Sequence, residues 1–359
     1  FRIFVDFGYS LTAPKAIAQA EEQNIGSLFA KYFYGKVCIL IFITVVFFAT
    51  YNLQRILLGN TIDILLFQVM YCGIIGNVLF PVWFFQGIQK MRYITILNMC
   101  GRICTMLGIF LLVKSPDDYI LAAFLQACTP LIAGVFSIVW LRKHYTGLFK
   151  FPPMDEIINS YKEGWSIFVS SLAVNLYTAT NVVVLGMLTN NVIVGYYSAA
   201  DKLITCVRRG IYAVSDAIYP FISKMMKDDI PKGLRFIKKQ LFLYLVVGLV
   251  GCTSLFLFSD TIVKLLFGAD YDLTVDVLRI LSFVPLAVAI STVFGEETML
   301  PLNMNSAYSR TLVLGAFFSL ISIFPLCYLW GAEGVAITML LTEFLIMSIM
   351  GGLLRKQLF

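Results

Sequence analysis

YYSAADKLITCVRRGIYAVSDAIYPF, residues 196–221, is long enough to cross a bilayer as a helix, yet it carries five charges. A guanidinium at the bilayer centre costs roughly 2.5–3.5 kcal/mol even on a lenient insertion scale. A spacing of seven returns a helical side chain to nearly the same face. Lys202, Arg209 and Asp216 therefore share one stripe, and Asp201, Arg208 and Ser215 share its neighbour, about 100° away. The opposite face, with Leu203, Val207, Ala213 and Val214, can meet lipid or packed neighbours. Two readings stay open for the charged face. Asp201 could neutralise Arg208, and Asp216 could neutralise Arg209, although seven residues span about 10 Å of rise. Alternatively, the face lines a water-filled basic cavity that receives an anionic group. Arginine suits phosphate there, because its planar fork donates two parallel hydrogen bonds.

The rest of the chain fits a membrane setting. Of 359 residues, 59% are hydrophobic and only 13% are charged, against about 25% charged in a soluble domain. We expect an all-α polytopic membrane protein with ten complete spans, near 37–53, 62–84, 93–113, 119–141, 165–188, 196–221, 241–259, 275–298, 309–330 and 333–354. The opening FRIFVDFGYSL reads as the tail of a further span, so the chain is expected to lack its N-terminus. Loops on one side hold 18 Lys and Arg, and those on the other hold only Arg55, Lys114 and Lys264. The positive-inside rule places the first set, and with it the C-terminus, in the cytoplasm.

The longest connection divides the chain. Pro152-Pro153 stops any preceding helix, and MDEIINSYK could form a short surface helix. We expect an N-terminal lobe over 1–150, a cytoplasmic linker over 151–164 and a C-terminal lobe over 165–359. Pro81, Pro130, Pro285 and Pro325 lie within spans, as fixed kinks or as hinges.

Eight cysteines are scattered through the spans, and the single His144 has no partner ligands. The pattern predicts no metal site, no cofactor and no His-based catalytic centre. Nothing in it points to nucleic acid as a partner. Other charges at membrane depth are candidates for the same cavity. Arg102 lies about mid-span, and Arg279 either lines the cavity or snorkels toward the outer interface. Asp201, Asp216 and Glu343 could balance charge or couple an ion, since a buried carboxyl such as Glu343 can carry a proton. Its bland alternative is a hydrogen bond to a nearby Ser or Thr. Glu296-Glu297 sits close to a span end, where water could reach it, and Asp6 reads as a polar contact beside Gly8.

Five stretches, in order, resemble oligosaccharide-lipid flippases of the Wzx type in the multidrug/oligosaccharidyl-lipid/polysaccharide (MOP) exporter superfamily. They are DFGYSLTAPKAIA (6–18), VWFFQGIQKMRYI (82–94), YKEGWSIFVSS (161–171), VGYYSAADKL (194–203) and MLPLN (299–303), the last similar to an MLPLG that often closes the tenth helix of the family. Gln89 stands where an acid is common. The resemblance implies a MATE/MOP-like two-lobe fold of twelve helices, here from part of helix 2 onward. It implies a non-enzymatic flippase in the bacterial inner membrane. Its cargo would be a polyprenyl-pyrophosphate-linked O-antigen or polysaccharide repeat unit, carried to the periplasmic leaflet by alternating access through a cationic cavity. Arg208, Arg209 and Lys202, helped by Arg102 and Arg279, would attract the pyrophosphate while the polyprenyl tail stays among membrane lipids. Tyr177 and Tyr212 could contact sugar rings, as could Tyr196, for which interfacial anchoring is equally open. Proton or sodium coupling and a partnership with the polysaccharide assembly machinery are further expectations.

Three competing readings differ in what they require. A drug or cation exporter of the same superfamily would want a mainly acidic or apolar cavity. A peptidoglycan-precursor flippase would share the cationic cavity but fits the five stretches less well. A membrane polymerase or ligase would present a large extracytoplasmic loop with catalytic residues, and the outer loops here are short.

Overall fold

The computed structural model describes residues 2–58, 64–115, 118–145, 148–268 and 271–358. They are helical almost throughout, with no strand among the described residues. The fold is all-α and polytopic. Eight segments among the described residues are long and apolar enough to cross a membrane by length and composition. The last, Asn305–Arg355, contains two of the expected spans. The expected span 196–221 falls outside that set because of its charges, and residues 62–63 of the span 62–84 lie outside the described residues. The chain forms two units, Phe1–Phe168 and Val169–Phe359.

The first unit holds α1 (Arg2–Asp6), α2 (Tyr9–Ala18), α3 (Ile25–Leu58), α4 (Ile64–Leu79), α5 (Val82–Gly87), α6 (Met91–Leu112), α7 (Tyr119–His144) and the beginning of α8 (Met154–Leu188). Without a hydrophobic drive between helices in lipid, close backbone approach must supply the packing. Helices α4 and α7 do this through Gly76 and Gly134. A Cβ on Gly76 would stand 2.5 Å from the Leu131 amide nitrogen, and one on Gly134 would stand 2.7 Å from the Leu79 Cβ. An aromatic core of Tyr9, Phe29, Tyr32, Trp83, Phe84 and Phe85 lies in the same unit and includes Ala133 of α7 beside Gly134.

Helix α3 begins well before the expected span 37–53, and its membrane-length segment is Ile25–Val46. Lys31 and Lys36 made that region read as a loop. Both are neutralised, Lys31 by Glu163 at 3.0 Å and Lys36 by Asp6 at 2.6 Å. Asp6 is therefore an ion-pair partner as well as a cap for the Ser10 amide. Helix α8 is a single run from just after Pro152-Pro153, so residues 154–164 are continuous with the following span instead of forming a separate surface helix. Pro81 and Pro285 mark breaks, before α5 and at the start of α13 (Val284–Phe294), whereas Pro130 lies inside α7.

The second unit continues α8 and adds α9 (Asn191–Asp228), α10 (Ile230–Leu257), α11 (Ser259–Phe267), α12 (Asp272–Leu281), α13 and α14 (Asn305–Leu358). Helix α14 contains Pro325 and is broken at Gly331, where φ 53° and ψ −126° are available only to glycine at low cost. Caps are visible in the sequence. Asn190 Oδ1 accepts from the amides of Val192 and Ile193, and Asp229 accepts from Lys232 with Pro231 in the first turn. The core joins Tyr197, Ala200 and Ile204 of α9 to Val277, Leu278 and Leu281 of α12 and Val335, Ala336 and Met339 of α14. Between α13 and α14 the chain winds as a π-helical turn, Gly295–Met299.

Candidate functional site

Helix α9 is divided lengthwise into three strips. Ile204, Arg208, Ser215, Tyr219 and Ile222 are buried in the second unit. Val207, Val214 and Phe221, seven apart, are exposed and apolar. Lys202, Arg209 and Asp216, also seven apart, are exposed and charged. Val207 and Arg209 lie about 200° apart around the axis, so the two exposed strips occupy opposite flanks. The apolar strip is suited to lipid, and the charged one is not.

The broad charged face expected from the sequence is therefore split. Its Lys202–Arg209–Asp216 stripe stays open, and its Asp201–Arg208–Ser215 stripe turns inward, with Asp201 half-buried. Arg208 is only 8% exposed. Its partner is neither aspartate of its own helix. Glu343, from α14 and 4% exposed, places Oε1 3.7 Å from a guanidinium nitrogen. Tyr177 of α8 donates its hydroxyl hydrogen to the same carboxylate oxygen at 2.9 Å. Tyr212, one turn beyond Arg208, lies against the guanidinium. Three helices thus meet at one buried charge network. A buried pair of this kind is retained at a desolvation cost, and removing one member leaves an uncompensated charge. Glu343 was expected to balance charge or carry a proton, or else to hydrogen-bond a nearby Ser or Thr; its partners in the structure are Tyr177 and Arg208.

The remaining candidates sit in different settings. Lys202 lines a cleft of about 450 Å³ with Gly195, Tyr196, Ser198, Phe267 and Tyr271. Tyr196 and Tyr271 meet edge to face at 5.3 Å, and Phe267 lies 5.5 Å from Tyr271. The cleft therefore combines one cation with an aromatic wall. Arg279 is held at the surface by Ser259 Oγ at 3.1 Å and by Asp276 at 3.5 Å, neither of them a member of the Arg208 network. Arg102 is exposed on α6 of the first unit, with Met99, Ile103 and Met106 exposed around it. No ion pair involves Lys202, Arg209 or Arg102 among the described residues. Among those residues no group of three His, Cys, Asp or Glu could hold a metal ion. One expectation is corrected: Glu297 is not wetted at a span end but wholly buried.

The comparisons with known proteins agree with this architecture. The family model described as polysaccharide biosynthesis protein matches residues 1–226. A protein of Escherichia coli (strain K12) named "Putative O-antigen transporter" is 30% identical over 99% of this chain and 85% of its own length. A protein of Haloferax volcanii named "Probable low-salt glycan biosynthesis flippase" is 25% identical over 67% of this chain and 50% of its own length. Among solved structures, a MATE transporter in the bent conformation superposes with a TM-score of 0.81 at 13% identity, over 99% of this chain and 83% of that one. Matched by the family model over more than half its length, and by a relative at 30% identity over 99% of its length, the chain belongs to the polysaccharide biosynthesis protein family.

Proposed function

We propose that this chain is a flippase that carries a polyprenyl-pyrophosphate-linked oligosaccharide from the cytoplasmic to the periplasmic leaflet of a bacterial inner membrane. It does so by alternating access and without chemical change to its cargo, with its C-terminus in the cytoplasm. The observation that carries this reading is the open charged strip of α9, where Lys202 and Arg209, within the expected span 196–221, are exposed and paired to no acid among the described residues. Such groups are tolerated only where water or an anion meets them. A hydrophilic headgroup crossing beside them avoids bare hydrocarbon, and its pyrophosphate meets cations that do not first have to release a carboxylate. Arg208 joins them only if Glu343 lets go, which frees that carboxylate to take a proton. The aromatic cleft beside Lys202 offers ring faces to sugars. The relatives' names support the cargo class, and the Lys and Arg asymmetry of the loops supports the orientation. A drug-cation exporter is disfavoured by the same two unpaired cations.

The test is transport of a defined polyprenyl-pyrophosphate oligosaccharide in reconstituted vesicles. Lys202→Ala and Arg209→Ala should each slow translocation roughly tenfold, the worth of one charge-assisted hydrogen bond, while the protein still inserts and melts normally. A double variant that transports at the wild-type rate would remove the basis of the proposal.

A further inference from the structure

Helix α10 carries a second group of unpaired cations, separate from the strip on α9. Lys232, Arg235, Lys238 and Lys239 lie in its first three turns and are all exposed. At about 100° per residue, the four fall within an arc of roughly 120°. Gly233, Ile237 and Gln240 are buried on the opposite side. None of the four cations forms an ion pair among the described residues. The acids nearest in sequence precede the helix. Asp228 ends α9, and Asp229 caps α10 by accepting from the Lys232 amide. No Asp or Glu follows until Asp260.

The same face continues into hydrocarbon. Arg235, Lys239, Phe242, Val246 and Leu249 follow the i, i+4, i+7, i+11, i+14 spacing of one helical stripe. Its two leading members are cations, and its three apolar members are all exposed. Leu245 and Val250, on either side of the stripe, are exposed as well. With 28 residues, α10 is about 42 Å long, some 12 Å more than a hydrocarbon core. The excess falls on the charged end, which therefore stands at headgroup level. Phe221, in the exposed Val207–Val214–Phe221 strip of α9, meets Phe236 of α10 at 5.8 Å. The apolar surface beside the cations is thus continuous from one helix to the next.

The chemistry of this surface identifies its ligand. Ammonium and guanidinium groups without counter-charge bind phosphate through charge-assisted hydrogen bonds. The exposed stripe beneath them accepts hydrocarbon chains. A soluble phosphate compound would use the cations and leave the stripe idle. A zwitterionic lipid brings its own cation to the phosphate and gains little from four more. An anionic lipid uses both features, and clustered cations beside a membrane helix attract such headgroups. We propose that the head of α10 binds an anionic glycerophospholipid. Its phosphate sits among Lys232, Arg235, Lys238 and Lys239, and its acyl chains run along Phe242, Val246 and Leu249. The site depends on no assumption about the cargo or about which leaflet it faces.

The test uses the purified full chain in detergent, with dioleoyl phosphatidylglycerol and dioleoyl phosphatidylcholine as probes. Bound lipid is counted by native mass spectrometry. Wild-type protein should bind phosphatidylglycerol saturably and roughly tenfold or more tightly than phosphatidylcholine, and added salt should narrow that gap. One near-surface cation is worth roughly fivefold in affinity. Arg235→Gln should therefore weaken phosphatidylglycerol binding about fivefold, and replacing all four cations by Gln should weaken it roughly a hundredfold or more. Should the quadruple variant not yield a monodisperse protein, Arg235→Gln and Lys239→Gln are read singly. Lys90→Gln with Lys143→Gln removes two exposed cations from the other unit and should bind as wild type does. Equal affinity for the two lipids, undiminished binding by the α10 variants, or an equal loss in the Lys90 and Lys143 variant would overturn the site. Competition by glycerol phosphate at the lipid's own concentration would overturn it too, since the chains would then contribute nothing. Vesicle transport of the lipid-linked sugar is a separate measurement, so the two proposals fail independently.

Discussion

Gly8 and Gly164 stand backbone to backbone. A Cβ built on Gly8 falls 2.6 Å from the Gly164 carbonyl oxygen, and one built on Gly164 falls 2.5 Å from the Phe7 carbonyl oxygen. The contact locks the DFGYS stretch onto the base of α8. Around it, Phe7 stacks on Phe168 at 4.7 Å, and the Tyr9 and Ser160 hydroxyls share a hydrogen bond of 2.6 Å.

The first prediction follows from that contact. Gly8 also has φ 76°, so alanine there is strained as well as crowded. Gly8→Ala should destabilise by roughly 2–4 kcal/mol, in the upper range for a single substitution. Gly164→Ala should also destabilise, by clash alone. Thermal melting in detergent, followed by loss of the monodisperse chromatographic peak, measures both. Unchanged melting of Gly8→Ala would mean that the two segments do not approach this closely.

Arg208 and Glu343 make a separable prediction. Glu343→Leu or Arg208→Met alone should cost about 3–5 kcal/mol, because each leaves a buried charge without its partner. The double variant should recover most of that loss, since apolar replacement of a whole buried pair is often neutral. Transport should not recover with it. Tyr177→Phe, which takes one donor from the carboxylate, should cost about 1–3 kcal/mol. Additive losses in the double variant would show that the two residues do not interact.

Asn303 closes the turn after the π-helical segment with φ 61°. Asparagine tolerates this left-handed conformation, glycine adopts it freely and a β-branched residue does not. Asn303→Gly should stay near wild type, and Asn303→Val should lose about 1–2 kcal/mol. The order of melting temperatures checks this, and a valine variant as stable as the glycine variant would contradict it.

Asp118, in the turn between α6 and α7, accepts hydrogen bonds from the backbone amides of Lys114 at 3.0 Å and Ser115 at 2.9 Å. These bonds favour the ionised form and hold its carboxyl below the ordinary aspartate value. A depressed folded-state pKa means that the contribution is complete above the unfolded value, roughly pH 4, and is lost as pH falls through the folded one. Hydrogen exchange at the Lys114 and Ser115 amides should be slow at neutral pH relative to Asp118→Asn. That difference should vanish on acidification. Equal protection in both proteins at neutral pH would refute the assignment.

The polytopic helical character and the open Lys202–Arg209–Asp216 stripe were legible because composition and a period of seven depend only on the local chain; the inward turn of Arg208 and Ser215 was not. What could not be read depended on partners distant in sequence. Glu343 lies 135 positions from Arg208, and no pattern within α9 identifies it. Lys31 and Lys36 looked like loop charges until Glu163 and Asp6 neutralised them, so the start of α3 was placed too late. Glu297 resembled a wetted end residue because nothing local reveals a π-turn. Asn303 was readable as a variant of a family position, and its left-handed φ supplies the reason glycine is common there.

The lengthwise division of α9 has a consequence for how this protein can change over time. Three neighbouring positions of one helix answer to three different media. Introducing a charge at Val207 would bring a membrane-insertion penalty, altering Arg208 would bring a folding penalty, and, on the proposed function, altering Arg209 would affect transport alone. Tolerance maps along the helix should therefore repeat every seven residues, with each register failing in its own assay. A variant library scored only for abundance would overlook the Lys202–Arg209–Asp216 register, whose proposed role is in transport.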